Sequence, residues 1–283
     1  MKLSGKRVEE VPLSRIRAGG LTLFSRPLES EPLRVSIRNM GVITPLLLWE
    51  VGGGRLRVVS GHRRLSACQA LGFSSLSALI AKRGELTDEG AIELNLAENL
   101  SQRALTEVEK AEALHKLETL GIAQERLIEH YLPLLGARPS LALLHQYLAL
   151  GRVEEEVKDY LTERAWPLGD AFRLASLEGE ERLALVRLLK ELRASVSAGR
   201  EIFELCRELS RRDEVTIEEL LLRPALREAL ELKGKARARA LLEVLRFLRY
   251  PELEKLKRRA ESLIRRGELP REIKFEWPQA LEE

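Results

Sequence analysis

The stretch from Leu46 to Gly72, LLLWEVGGGRLRVVSGHRRLSACQALG, leaves few choices of fold. Leu46 to Val51 and Arg55 to Val59 are short β-prone runs. The glycines between them supply the positive φ angles of a tight reversal, which predicts a β-hairpin. Beyond Val59 the apolar period changes: Leu65, Cys68, Ala70 and Leu71 recur at helical spacing, and Gly72 stands where a left-handed cap would end a helix. Ser60-Gly61-His62-Arg63-Arg64 is therefore a strand-to-helix turn. Free backbone N–H groups at a helix start attract an anion, a glycine permits close approach to the backbone, and two adjacent guanidinium groups suit phosphate oxygens. A tight turn followed by an ordinary solvated arginine pair would have the same local sequence.

The rest of the chain has to decide between these. Its 283 residues, 45% of them apolar and 32% charged, suffice for about two domains with real cores. No N-terminal stretch has the pattern of a signal peptide and no apolar run approaches the roughly 18 residues of a membrane span, so a cytoplasmic protein with no membrane partner is expected. Cys68 and Cys206 are the only cysteines and lie far apart, which indicates core residues rather than a disulfide or a zinc site. The net charge of +3 conceals an asymmetry: Lys233 to Arg271 carries thirteen Lys or Arg against five Glu. Such a surface suits nucleic acid or an acidic partner, although a solvated basic helix pair has the same composition.

In chain order, Val8 to Ile16 suggests a short strand, and Gly19, Gly20 and Pro27 mark an irregular loop carrying Arg15, Arg17 and Arg26. Glu31-Pro32 opens a helix that ends at Gly41, and Leu76 to Ala81 is a further strand. Thr87 caps a helix whose C-terminal end carries Glu98 and Asn99. Thr106 and Glu109 have capping-box spacing, so a second helix starts at Thr106. A carboxylate, an amide and Arg103 thus meet at one helix junction. They could position a metal ion or water beside phosphates, or merely satisfy the helix ends.

The ordered segments SIRNMG, TPLLLWE, the glycine hairpin, VVSGHRRLSA and ENLSQRALTEVEKAEAL resemble the N-terminal domain of ParB-family chromosome and plasmid partition proteins over about Val8 to Leu117. The resemblance implies an α+β, ParB/sulfiredoxin-like nucleotide-binding domain that takes CTP with Mg²⁺. On this chain the family roles would fall on Gly61, His62, Arg63 and Arg64 at the triphosphate, with Thr44, Pro45 and Arg103 near the nucleotide. Glu98 and Asn99 would lie at the metal, and Glu98 would carry any weak CTPase step. Two motifs depart from the family. TLFSRPLE stands in place of the usual Asn-Pro-x-Gln-Pro-Arg loop, leaving Arg26 as the candidate for its arginine, and Gln102 occupies an arginine position with Arg103 next to it. Sulfiredoxin chemistry needs a cysteine between the glycine and histidine of the turn, and here Gly61 joins His62 directly.

The remainder is predicted to be all helix. Runs at Ala123 to Leu135, Ser140 to Leu150 and Val153 to Arg164 occupy the place of the family's helix-turn-helix. The candidate recognition helix SLALLHQYLAL is mostly apolar and offers Ser140, His145 and Gln146 for base edges, with Arg138 and Arg152 at its flanks. A buried core helix would have much the same sequence. Further helices are expected over Gly169 to Leu177, Glu180 to Leu192, Gly199 to Arg212 and Thr216 to Leu232. The expected division is 1–104 for the nucleotide domain, 105–232 for the helical domain and 233–283 for a basic C-terminal segment. The resemblance further implies a DNA-binding, nucleoid- or plasmid-associated homodimer, switched by CTP and working with a ParA-like ATPase. Two alternatives stay open: a small-molecule phosphotransferase of the same superfamily, and an interaction module without nucleotide turnover.

Overall fold

The computed structural model describes residues 7–28 and 30–266. Residues 267–283, including Arg271 and the rest of the expected C-terminal segment, lie outside the described residues. The chain divides into two compact units, Met1–Ser176 and Leu177–Glu283. The boundary expected at 104/105 falls inside the first unit, between two of its helices.

The first unit is built on a five-stranded mixed sheet. Its strands are β1 (Val8–Pro12), β2 (Ile16–Arg17), β3 (Leu46–Gly52), β4 (Arg55–Ser60) and β5 (Ser75–Ala81), in the order β1-β5-β3-β4-β2. β3 and β4 form the expected antiparallel hairpin, with Leu48 opposite Val58 and Gly52 opposite Arg55, and Gly52, Gly53 and Gly54 all take positive φ. β1 runs antiparallel to β5, while β3 is parallel to β5 and β2 to β4. The two-residue period of a strand sorts the side chains of β3. Leu46 and Leu48 join one core with Leu56, Val58 and Leu76, whereas Leu47 and Trp49 join a second with Val59, Ala81 and Ala91.

Helices cover both faces. α1 (Glu31–Met40) and α2 (His62–Ala70) supply Ile37, Leu65 and Cys68 to the first core, and α3 (Asp88–Gln102) supplies Ala91 to the second. Thr87 caps α3 by accepting from Gly90 N at 3.0 Å. α4 (Glu107–Thr119) starts with the complete capping box of Thr106 and Glu109. Next come a helical segment α5 over 124–134, α6 (Leu141–Gly151), α7 (Glu155–Glu163) and α8 (Leu168–Ala175). α5 widens into a π-turn over Leu127–Tyr131, just before Pro133, which has no N–H to continue the ladder. Tyr131 ties α5 to α3 by donating to Glu89 at 2.6 Å and Glu93 at 2.9 Å. α6 lies close on α4, since a Cβ at Gly151 would stand 2.7 Å from Ala111 O.

The second unit is helical throughout its described residues. It comprises α9 (Gly179–Leu192), α10 (Val196–Asp213), α11 (Ile217–Leu221), α12 (Pro224–Glu231), α13 (Lys235–Arg249) and α14 (Pro251–Arg265). The single helix expected from Thr216 to Leu232 is two helices, because Pro224 starts a new one at its first turn. Leu241 and Leu245 of α13 are fully buried with Phe203, Cys206 and Leu209 of α10 in the unit's interior. Both cysteines are buried and unpaired. An α+β domain followed by helices is thus the architecture of the chain.

Candidate functional site

The end of β4 and the start of α2 are joined by one residue, Gly61, at φ +101°. A Cβ there would lie 2.7 Å from Leu46 Cγ, so neither the backbone conformation nor the space admits a side chain. Gly61→Ala is expected to destabilise the fold by about 1–3 kcal/mol, read as a lower urea midpoint with an unchanged slope. An unchanged midpoint would mean that the turn relaxes freely.

Beside this turn lies a cavity of about 400 Å³. Thr44, Gly61, His62, Arg63 and Arg64 line one side, and Glu98, Asn99 and Arg103 the other, so three separate stretches of sequence converge. Pro45 stays outside the lining but contributes its carbonyl to Arg64. Ser25, Ser30, Leu33 and Asn95 also line the cavity without having stood out in the sequence, as do Ser60 and Gln102 of the two motifs.

The polar groups divide into those already bonded and those that are not. Arg64 is committed: Nη1 donates to Thr44 O at 2.7 Å and Pro45 O at 2.9 Å, and Nη2 donates to Glu98 Oε1 at 2.7 Å. It ties the loop before β3 to the end of α3. Arg103 forks onto the fully buried carboxylate of Glu109, at 2.7 and 2.6 Å. Glu109 also accepts from the backbone N–H groups of Arg26 at 2.8 Å and Thr106 at 2.9 Å. Burial alone would raise the Glu109 carboxyl, but Arg103 and these amides outweigh it and hold the group below the usual carboxylate range.

Asn95, midway along α3, is 1% exposed and donates to Val59 O at 2.5 Å and Thr22 O at 3.2 Å, hooking the helix to β4 and to the loop before α1. Asn99, one turn on, donates from Nδ2 to Asn95 O and Oδ1 at 2.9 and 2.7 Å. The spacing of two asparagines four residues apart was the available signal for this relay. Glu98 is the one carboxylate among the described residues that line the cavity. Those residues include no group of three or more acidic, His or Cys side chains suited to a metal by themselves.

In contrast, Arg63 Nε and both ring nitrogens of His62 are buried without a hydrogen-bond partner. Burial, with Lys116 nearby, pushes the imidazole down to about 4, so His62 is neutral at pH 7.

Arg26 faces elsewhere. It pairs with Glu112 at 2.8 Å, Asp159 at 2.5 Å and Glu155, and lines a separate cavity of about 440 Å³ with Phe24, Pro27 and Thr162.

Of the candidate DNA contacts, Arg138, His145 and Arg152 are exposed and Ser140 and Gln146 partly so. Ser140 serves as the N-cap of α6, and Arg152 Nη2 donates to both oxygens of Glu118 at 2.6 and 2.7 Å. In the second unit the arginines of α13 are largely compensated. Arg237 meets Glu191 at 3.4 Å, Arg246 meets Glu201 at 2.6 Å and Arg249 meets Glu208 at 2.8 Å. No helix of the described residues is long and apolar enough to cross a membrane.

A mixed sheet whose glycine turn and arginine pair open onto such a cavity defines a domain class, and residues 1–100 match the family model of the ParB N-terminal domain. Those 100 residues belong to the ParB N-terminal domain family. The chain is 25% identical over 181 residues to a chromosome-partitioning protein ParB of Vibrio cholerae, covering 64% of this chain and 59% of the relative. It is 32% identical over 168 residues to a nucleoid occlusion protein of Geobacillus kaustophilus, covering 58% and 56%. The chain thus spans under two thirds of the length of these relatives. Among solved structures it is similar to the C-terminally truncated ParB of Caulobacter crescentus complexed with CTP-γ-S, at 25% identity and TM-score 0.30, covering 65% of this chain and 99% of that one. It is also similar to the same protein complexed to the centromeric parS site, at 22% identity and TM-score 0.34, covering 68% and 96%. These superpositions are loose and place no residue of this chain.

Proposed function

We propose that the chain is a DNA-binding protein of the ParB partition type whose N-terminal cavity takes a nucleoside triphosphate with Mg²⁺ as a conformational switch. The observation that carries the proposal is the cavity itself, where unpaired buried nitrogens of Arg63 and His62 stand at a glycine-opened helix start. An anionic, acceptor-rich ligand is the natural partner of such donors. Within the proposal, Arg63 contacts phosphate directly, while Arg64 holds Thr44, Pro45 and Glu98 in position around the ligand. Arg103 stands at the cavity rim, oriented by Glu109. The choice of CTP rests on the family resemblance.

The donor set is compatible with Mg²⁺, which favours one or two carboxylates completed by phosphate oxygens and water. Glu98 would hold the ion, with Asn99 beside it, and the ion would neutralise phosphate charge. Glu98 is also the carboxylate through which any slow hydrolysis would run. Calorimetric titration with CTP, UTP, ATP and GTP in Mg²⁺ tests the proposal: CTP should bind measurably tighter than the others, and the absence of any nucleotide binding would overturn it.

For DNA, α5 and α6 are proposed as the helix-turn-helix, with Ser140, His145 and Gln146 toward bases and Arg138 and Arg152 toward the backbone. A homodimer, a ParA-like ATPase partner, a role in chromosome or plasmid segregation and a nucleoid location in the cytoplasm belong to the same proposal and rest on the family resemblance. The pairing of Arg237, Arg246 and Arg249 with glutamates leaves less free charge on α13 than its composition suggests. Exposed Arg138 then matters more. Arg138→Ala is expected to weaken binding to all duplex sequences alike and to lower the slope of log affinity against log salt by roughly 0.9. A full salt slope in the variant would remove Arg138 from the DNA contact.

A further inference from the structure

The glycine turn of the β3–β4 hairpin stands at the opposite end of β4 from Gly61 and its cavity. Guanidinium groups from three separate stretches of chain gather there. Arg15 Nε donates to Gly54 O at 3.1 Å, Arg55 follows the turn directly, and a Cβ at Gly52 would stand 3.7 Å from Arg83 Nη1. The parallel pairing of β2 with β4 sets Arg17 beside Arg57, and the two-residue strand period puts Arg55 and Arg57 on one face. Lys82 adjoins Arg83 at the end of β5. Arg15, Arg17, Arg55, Lys82 and Arg83 are exposed. Of these six cations only Arg57 meets a carboxylate among the described residues, Asp88 at 2.9 Å. The other acids close by in the chain are Glu50 and Glu85, and Glu85 accepts from the backbone N–H of Lys82 at 2.6 Å. Positive charge is therefore in excess at this turn, and like charges gathered so closely favour an anionic partner.

We propose that this hairpin tip is a contact for the phosphate backbone of duplex DNA, made without regard to base sequence. The proposal rests on the reading of the chain as a DNA-binding protein and adds a surface on the sheet, apart from α5 and α6. Arginine forks and backbone N–H groups are the usual donors to phosphate oxygens. Arg55 and Arg57 stand about 6.7 Å apart along β4, close to the step between successive phosphates of one DNA strand. Gly53 and Gly54 are exposed and have no side chain to hold a phosphate off the backbone. An acidic protein would match the same charge, but protein interfaces draw their affinity from buried aromatic and arginine anchors set in apolar pockets. The exposed large apolar side chains of the described residues include none on the hairpin or the loop after β5. A phosphate backbone asks only for charge and donors.

Fluorescence anisotropy of the full chain on labelled duplexes of unrelated sequence, over a series of salt concentrations, tests this. Arg17→Ala, Arg55→Ala and Arg83→Ala combined should weaken binding to every duplex alike. The slope of log affinity against log salt should fall by roughly 2 to 3, at about 0.9 for each lost phosphate contact. The three corresponding Lys substitutions should keep the parental slope, because counterion release follows charge. Thermal melts should show little change in either variant, since none of the three arginines has an ion-pair partner among the described residues to lose. Arg83→Ala alone, in the exposed loop after β5, should lower the slope by roughly 0.9 and reads the contact even if the triple variant does not fold. A full parental slope in Arg83→Ala and in the folded triple variant would overturn the proposal and leave the DNA-binding reading standing. Equal loss in the alanine and lysine variants would make these arginines structural and also overturn it. A triple variant that keeps the DNA slope but loses binding to polyglutamate shown by the parent would make the tip a surface for acidic proteins instead. Parent protein that binds no duplex at low salt would overturn the DNA-binding reading and this proposal together.

Discussion

Glu109→Ala is expected to cost the fold on the order of 3 kcal/mol, because it strips a guanidinium fork, two backbone N–H groups and the Thr106 hydroxyl of their acceptor at once. The carboxylate is fully buried and receives the Arg103 fork, the backbone N–H of Arg26 and the N–H of its own capping partner Thr106. Removing it leaves a half-buried guanidinium unpaired, undoes the start of α4 and frees the loop before α1. For a unit of this size the loss corresponds to roughly 6–12 °C in melting temperature. Burial works against ionisation of Glu109, but the hydrogen bonds prevail and depress its folded value below the ordinary 4.5. The sign follows from that. The stabilisation is fully present above the unfolded carboxyl value and is lost as pH falls through the lower folded one. Glu109→Gln should therefore flatten the acid limb of the stability profile below about pH 4.5, and urea melts from pH 7 to 3 check it. An acid limb identical to the parent's would show that other carboxylates govern it.

Arg63 and Arg64 are adjacent and chemically identical, yet their substitution should give different phenotypes. Arg63→Ala is expected to weaken nucleotide binding by roughly 10- to 150-fold, the range for one charge-assisted hydrogen bond, with little change in stability. Its Nε has no partner within the fold to lose. Arg64→Ala should lower both affinity and melting temperature, since the guanidinium joins Thr44, Pro45 and Glu98. Calorimetry and thermal melts on the two variants, taken together, distinguish these outcomes. Equal stability losses would mean that both arginines are structural.

Much of the site's frame was legible because it is local. Three glycines in a row dictated the hairpin, the change of apolar period at Val59 located the turn, and Thr106 with Glu109 announced a capping box that is present in full. The destinations of the charged side chains were not legible. Arg103 with Glu109 lay within sequence reach, but Arg64 with Glu98 joins residues 34 positions apart and Arg26 with Glu112 residues 86 apart. The same holds for the basic C-terminal segment, where Arg246 and Arg249 meet acids more than 40 residues upstream. Composition reports a charge and is silent on whether tertiary packing neutralises it. Asn95 was overlooked for another reason. A buried asparagine within a helix looks unremarkable until its partners, Thr22 and Val59, are brought beside it by the sheet. The break at Pro224, by contrast, is legible in the sequence, since proline favours the first turn of a new helix.

Amide hydrogen exchange on the full chain, with and without CTP and Mg²⁺, tests most directly where the ligand sits. A nucleotide held at the Gly61 turn engages N–H groups of the first turn of α2, and it orders the end of α3 through Glu98 and Asn99. The account predicts slowed exchange over residues 61–65 and 98–103, with Arg63→Ala losing the effect at the same nucleotide concentration. Saturating CTP that protects the Arg26 cavity or the second unit, and leaves these two segments unchanged, would contradict it.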